Sequence, residues 1–398
     1  MESFIPIILG SDENAYGCAR MFYSINKTKP VLLCSRALLP TEHSGILLRR
    51  VVPDLDSPAV FTKILNESLT VFKKAYEKIL VVPCSDYYAE LLIKNAEKFN
   101  QMIDSPVISP DLYSRFSTKG AFCDLCKKHS LPHPKTEIAI PSALLSVTSS
   151  FEYPVVMKPS NSNCAEYLHS NIPNRKKAYV CQTEAELKKA LESFIIGGFN
   201  SPVVIQKYIN GDERGCRVIN AYCDKKSSVR LIGAAMPLLE YKNGTDIGNY
   251  VALRPMPERE LCDRAANFLE AIGYKGFANF DVKFDPERGE YVFLELNPRQ
   301  GRSSYYMNTA GANLMLPLYE ECVLGKDFTD RRYAEGDGVW INEPTNRIKR
   351  EMRERGLSGS ELLDKFIPDS ALSLTFDFNL PRAITLIRRS LGAYSREL

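Results

Sequence analysis

Two neighbouring stretches concentrate residues that could hold a cation: Asn279-Phe280-Asp281-Val282-Lys283 and Phe293-Leu294-Glu295-Leu296-Asn297-Pro298-Arg299. Between them, Asp285-Pro286-Glu287-Arg288-Gly289-Glu290 carries the turn residues of a β-hairpin. Strand alternation puts Asp281 and Lys283 on one face, and Glu295 and Asn297 on one face of the partner strand. If Asp285 pairs with Tyr291, Asp281 stands opposite Glu295. Two carboxylates and an amide oxygen then share a surface. Such a hard-oxygen set suits Mg²⁺, with phosphates completing its shell. Without a cation the cluster would be costly to bury, so the competing reading is an ordinary solvated sheet face.

The next residues, Pro298-Arg299-Gln300-Gly301-Arg302-Ser303-Ser304, place two guanidinium forks and two hydroxyls beside that cluster. Forks of this kind suit a transferring phosphoryl group or a bound carboxylate. Tyr153-Pro154-Val155-Val156-Met157-Lys158-Pro159 reads as a strand ending in a lysine, a point charge for a phosphate. Ser160-Asn161-Ser162-Asn163 follows, a polar loop able to cover phosphates. Val203-Val204-Ile205-Gln206-Lys207-Tyr208-Ile209-Asn210-Gly211 is an apolar strand running into a polar linker, which can offer backbone groups and apolar walls to a flat heterocycle. Gly10-Ser11-Asp12-Glu13-Asn14-Ala15-Tyr16-Gly17 fails the dinucleotide-binding glycine pattern, and the chain has no GxxxxGK[ST] or GxSxG sequence. His43, His129, His133 and His169 are too scattered for a metal set.

The elements that must position these residues alternate. Residues 4–9, 31–34 and 79–82 read as short buried strands, with helices at about 14–23, from Ser57-Pro58 onward and at 87–99. Alternation of this kind predicts a parallel sheet covered on both faces, an α/β fold. A helix over about 118–129 is stopped by Leu131-Pro132-His133-Pro134, and a capping box at Thr183-x-x-Glu186 opens another through Phe194. Strands at 218–223 and 229–235 flank Asp224-Lys225-Lys226 as an antiparallel pair. An amphipathic helix over 257–272 ends at Gly273.

With 398 residues, two or three domains are expected. The net charge of +3 argues against a nucleic-acid partner. No apolar run is long enough to span a membrane, and Met1-Glu2-Ser3 lacks the basic flank of a secretory leader. Eleven cysteines, an odd number spread along the chain, read as reduced thiols in a cytoplasm. Cys123-Asp124-Leu125-Cys126 reads as two small core residues rather than half a zinc site. From about Arg331 the pattern weakens into an appended helical segment. Within it, Lys349-Arg350-Glu351-Met352-Arg353-Glu354-Arg355 is read as a solvated helix, with an anionic lipid-linked precursor or a membrane surface as the alternative.

Taken in order, these segments resemble the ATP-grasp superfamily. The resemblance rests on Lys119 ahead of Leu131-Pro132-His133-Pro134-Lys135-Thr136, on the Lys158 strand, on Gln206-Lys207-Tyr208-Ile209-Asn210-Gly211, and on Asp281 with Glu295-Leu296-Asn297-Pro298-Arg299. Within the superfamily the chain is most similar to carboxylate–amine ligases of the D-aspartate ligase type from bacterial cell-wall synthesis. The segments carrying this are Ile5-Pro6-Ile7-Ile8-Leu9-Gly10-Ser11-Asp12, Lys158-Pro159-Ser160-Asn161-Ser162, Ile247-Gly248-Asn249-Tyr250-Val251, Gly276-Phe277-Ala278-Asn279-Phe280-Asp281 and Arg299-Gln300-Gly301-Arg302-Ser303-Ser304. The alternative within the superfamily is an L-amino-acid dipeptide ligase or another amide ligase of natural-product assembly. Where many members carry a glycine-rich loop, this chain has a Ser/Asn-rich one running toward Ile172-Pro173-Asn174-Arg175-Lys176-Lys177.

The resemblance implies a parallel-sheet domain over 1–110. It also implies an ATP-grasp fold over 111–330, with two α+β lobes at about 119–200 and 201–330 clasping ATP, and an extension over 331–398. It implies that Lys119 and Lys158 hold the α- and β-phosphates, with Ser160 beside them. The backbone of Lys207, Tyr208 and Ile209 would frame adenine with Gln206 near its amino group, and Asp212 or, preferably, Glu213 would meet the ribose. Asp281, Glu295 and Asn297 would hold two Mg²⁺ ions and Arg299 the γ-phosphate, while Arg302, Ser303 and Ser304 would meet the carboxylate or its acyl phosphate. The substrates implied are an amino-acid carboxylate and an amine acceptor of a peptidoglycan precursor. Dimers are frequent in the superfamily.

Overall fold

Strand β1 (Phe4–Leu9) is buried along all six residues, as an apolar run must be inside a parallel sheet covered on both sides. It pairs in parallel with β2 (Val31–Cys34) and β4 (Lys78–Pro83), and β3 (Leu48–Val51) lies beside β2, giving the order β3-β2-β1-β4. The structure is a computed structural model that describes residues 3–146, 152–161, 164–173, 175–176, 178–242 and 248–394. Met1, Glu2, Ser162, Asn163, Asn174, Lys177 and Ile247, all named above, lie outside the described residues.

Helix α1 (Glu13–Asn26) follows β1; Asp12 caps it by accepting from the Ala15 N–H at 3.0 Å, and it ends at Lys27, which takes a left-handed φ of 65°. Helix α2 (Pro58–Phe72) starts on a proline, whose fixed φ suits the first turn. The helix expected over 87–99 breaks in two. α3 (Asp86–Lys94) is capped by Ser85, and a single turn, Ala96–Phe99, follows a break at Asn95. There the Asn95 side chain donates back to Leu91 O at 2.9 Å, competing with the helical ladder.

The chain divides into two compact units: residues 1–110, 213–280 and 297–398, and residues 111–212 with 281–296. In the second, α4 (Lys119–Lys128) and α5 (Glu184–Ile196) accompany an antiparallel sheet. Its strands are β5 (Thr136–Ala139), β6 (Val155–Pro159), β7 (Tyr179–Cys181) and β8 (Val203–Lys207), in the order β5-β8-β6-β7. Val155, Met157, Val203 and Ile205 pack with Leu187, Leu191 and Phe194 of α5 as its core.

The largest sheet contains β9 (Cys216–Cys223), β10 (Val229–Glu240), β11 (Tyr250–Met256), β12 (Gly276–Asp285), β13 (Glu290–Asn297), β14 (Arg332–Tyr333) and β15 (Trp340–Ile341). Its order is β13-β12-β9-β10-β11-β15, with β14 beside β10. β10 runs five residues beyond the expected end at 235. It passes Pro237 by register shifts, the irregularity a strand proline requires. Helix α6 (Arg259–Ala271) buries Leu261, Ala265, Phe268 and Leu269. Besides β14 and β15, the last segment contributes α7 (Thr345–Glu354) and α8 (Leu380–Tyr394). All eleven cysteines are free thiols. Among the described residues no helix is long and apolar enough to cross a membrane.

Candidate active site

In the second unit, Lys119 is the first residue of α4, whose N-cap Thr118 accepts from the Ala121 N–H at 3.2 Å. The Lys119 N–H donates to Ser160 O at 3.0 Å, tying the start of the helix to the end of β6. Gly120 allows a close approach there, since a Cβ would meet Ile138 Cδ1 at 2.5 Å. β6 alternates in burial, so Val155, Met157 and Pro159 face the core while Lys158 takes the other face. The β6–β8 register pairs Val156 with Gln206 and Lys158 with Val204, which puts Lys158 and Gln206 on one face. Gln206 is buried, and its Nε2 donates to Thr136 Oγ1 at 3.0 Å.

The Lys119 ammonium stands 3.6 Å from a Glu295 carboxylate oxygen. Burial pulls the Lys158 amine below its ordinary value, Lys119 adds to that, and Glu295 and Asp281 oppose it. Two lysines and two carboxylates therefore act on one another within this unit. Lys207 turns its side chain to Glu287 and its N–H to Lys135 O at 3.4 Å, and Tyr208 donates to Pro154 O at 3.2 Å. Lys283 lies over the Tyr208 ring at 5.6 Å. Among the described residues no group of three or more His, Cys, Asp or Glu forms a metal cage. Mg²⁺ needs none, because it keeps waters and substrate phosphates in its shell; the donor set fits it.

In the first unit, Glu213 is buried with Oε2 3.6 Å from Lys242 Nζ, and its Oε1 has no hydrogen-bond partner among the described residues. A buried carboxylate oxygen in that state is an acceptor awaiting a donor. Asp212 beside it is exposed. Asn297 ends β13, and its Nδ2 donates to Asn279 Oδ1 at 3.1 Å. Asn279 is itself fixed by donating to Ile219 O at 3.1 Å. This chain of amides holds the Asn297 side chain in place, and its carbonyl oxygen is a hard donor of the kind a cation such as Mg²⁺ accepts. Gly301 packs against the same amides: its N–H donates to Asn220 Oδ1 at 2.6 Å, and a Cβ on it would lie 2.9 Å from Asn279 Nδ2.

Arg299 pairs with Asp86 at 2.9 Å and donates to Gln300 O at 3.1 Å. Arg302 pairs with Glu13 at 3.2 Å. Ser303 and Ser304 are buried, and the Ser304 hydroxyl donates to Asn14 Oδ1 at 3.3 Å. Asp12 is raised from 3.8 to about 6, first by loss of solvation and then by Glu13, against the pull of Arg302 and Arg299. Asp12, Glu13 and Asp86 escaped the sequence reading. A signal was present: each lies within four residues after the C-terminal end of a strand of the parallel sheet, the end at which open α/β sheets bind their ligands.

Residues 242–316 match the family described as carbamoyl-phosphate synthase L chain, ATP binding domain. The chain is 34% identical over 395 residues to a D-aspartate ligase of Enterococcus faecium (strain Aus0004), covering 96% of this chain and 92% of that one. A crystal structure of an L-amino acid ligase from Bacillus licheniformis is similar at a TM-score of 0.57 and 14% identity, over 81% of this chain and 74% of the other. The biotin carboxylase domain of Hydrogenobacter thermophilus 2-oxoglutarate carboxylase, solved with MgADP, matches at a TM-score of 0.58 and 15% identity, over 85% and 74%. At these identities the two structures speak for the ATP-grasp fold.

Proposed function

We propose, because this chain belongs to the D-aspartate ligase family of ATP-grasp carboxylate–amine ligases, that it joins the β-carboxylate of D-aspartate to the lysine ε-amine of a peptidoglycan precursor in the cytoplasm. The observation that carries the reading is the relationship to a D-aspartate ligase along nearly the whole of both chains. The chain is an ATP-dependent, ADP-forming C–N ligase, and the site chemistry agrees with that class.

In the proposed reaction a carboxylate oxygen attacks the γ-phosphorus of ATP, ADP leaves and an acyl phosphate forms. The neutral amine then attacks the acyl carbon, and phosphate leaves. Lys119 and Lys158 hold the α- and β-phosphates, with Ser160 at the end of the Lys158 strand. Both lysines are engaged with Glu295 or Asp281, so phosphates enter a site whose charge is already partly balanced. The carbonyl oxygen of Gln206 receives the adenine amino group, the backbone of Lys207, Tyr208 and Ile209 flanks the ring, and Oε1 of Glu213, without a partner among the described residues, accepts from a ribose hydroxyl. Asp281, Glu295 and Asn297 would hold two Mg²⁺ ions, which would supply Lewis-acid neutralisation of phosphoryl charge. Arg299 holds the γ-phosphate, and Arg302 with Ser303 and Ser304 receives the acid.

The test is hydroxamate formation by the full chain with ATP, Mg²⁺, hydroxylamine and a panel of D- and L-amino acids and diacids. D-Aspartate is expected to be the preferred acid. Equal or better turnover of another acid overturns the assignment of substrate.

A further inference from the structure

Glu13 opens α1 and is held from two sides. Its Oε2 lies 3.2 Å from Arg302 Nη2, and its Oε1 lies 3.0 Å from Arg389 Nη2. Arg389 belongs to α8, the last helix, and the same nitrogen reaches Asn342 Oδ1 at 3.5 Å. The Glu13 side chain is 14% exposed and that of Arg389 21%, so water screens the pair only in part.

Helix α8 is anchored two turns earlier. Arg382 is fully buried with its guanidinium 4.2 Å from the centre of the Tyr16 ring; it donates to Pro40 O at 3.1 Å and Glu42 O at 3.0 Å and pairs with Asp377 at 3.2 Å. Positions 382 and 389 are seven apart and share a helix face, and Glu13 and Tyr16 are three apart on α1. Two contacts in register therefore fix α8 against the first turn of α1, beside Arg302.

We propose that Arg389 is a positioning residue for the carboxylate substrate, acting on Arg302 through the shared Glu13, so that the last helix completes the acid-binding subsite. The proposal rests on the reading of Arg302 as the contact for the acid. Asp12 stands close enough to act on Glu13 and Arg302, so two carboxylates face two guanidinium groups and Arg389 is the charge that keeps the cluster balanced for an anionic acid. With Arg389 gone, Glu13 belongs to Arg302 alone. With Asp12 alongside, the cluster becomes net negative, and the acid must compete with Glu13 for the Arg302 fork. The penalty falls on binding of the acid rather than on phosphoryl transfer.

The experiment measures hydroxamate formation by the full chain, using the acid that the wild-type protein prefers from the panel. Arg389→Ala is expected to raise KM for the acid about tenfold, with kcat and KM for ATP held within about threefold. Arg389→Lys restores most of the loss by keeping the charge. Glu13→Gln added to Arg389→Ala restores KM as well, because it removes the carboxylate that competes with the acid; a purely structural role for Arg389 would not be rescued by a second substitution. An unchanged KM in Arg389→Ala, equal losses in kcat and KM, or failure of the double variant to recover overturns the proposal. Wild-type preference for an acid other than D-aspartate overturns the substrate reading alone, since the variants are then compared on that acid. A wild-type protein that accepts no acid overturns both.

Discussion

Asp12→Asn is expected to stabilise the protein at alkaline pH. Asp12 sits between two demands. It caps α1 by accepting from the Ala15 N–H, and it is a partly buried carboxylate next to Glu13. Loss of solvation and Glu13 outweigh Arg302 and Arg299, raising the group from 3.8 to about 6. A carboxyl raised in the folded state binds its proton more tightly there than in the unfolded chain. Its contribution to stability is therefore complete below about pH 4 and is lost as pH rises through about 6. At about 1.4 kcal/mol per pH unit, the loss is up to about 3 kcal/mol above neutrality. Asparagine caps a helix as well as aspartate does and carries no charge to desolvate. Denaturant midpoints at pH 8 and pH 4.5, converted with a common slope, should show the variant ahead by up to about 3 kcal/mol at pH 8 and by about 1 kcal/mol at pH 4.5. No gain at pH 8, or the same gain at both, refutes the reasoning.

Lys158→Ala and Glu295→Gln should each lower ADP formation by about a hundredfold or more while the melting temperature is kept; steady-state ADP release checks this. Gly301→Ala forces a Cβ to within 2.9 Å of the Asn279 amide that orients Asn297, so the Mg²⁺ concentration for half-maximal rate should rise about tenfold in a titration. Arg382→Met leaves Asp377 buried without its cation, although Tyr16, Ser44 and Gly45 still donate to it. A loss of about 3 kcal/mol is expected in urea unfolding, and Asp377→Asn in the same chain should recover part of it.

The legible parts of the fold were those with strong periodicity or strong punctuation. The fully buried β1, the Thr183 capping box and the apolar face of α6 all stand where their residue patterns put them. The two-carboxylate hairpin was likewise readable from its turn residues and period-two strands. The short strands that escaped had no local signal. β3 is Leu-Arg-Arg-Val with all four residues exposed, a strand only because it pairs in register with β2. β14 and β15 are two residues each, too short for any period. The ion pairs Arg299–Asp86 and Arg302–Glu13 join residues more than two hundred positions apart. Charge type and local spacing carry no record of such partners; only the packed sheet brings them together.

The most direct test follows an oxygen atom. Full-length protein would be given ATP, Mg²⁺, hydroxylamine and D-aspartate labelled with oxygen-18 in its side-chain carboxylate, and the released phosphate would be weighed by mass spectrometry. Attack of the carboxylate on the γ-phosphorus predicts one heavy oxygen in each phosphate formed alongside hydroxamate. Unlabelled phosphate, or label carried into AMP, would contradict the acyl-phosphate route.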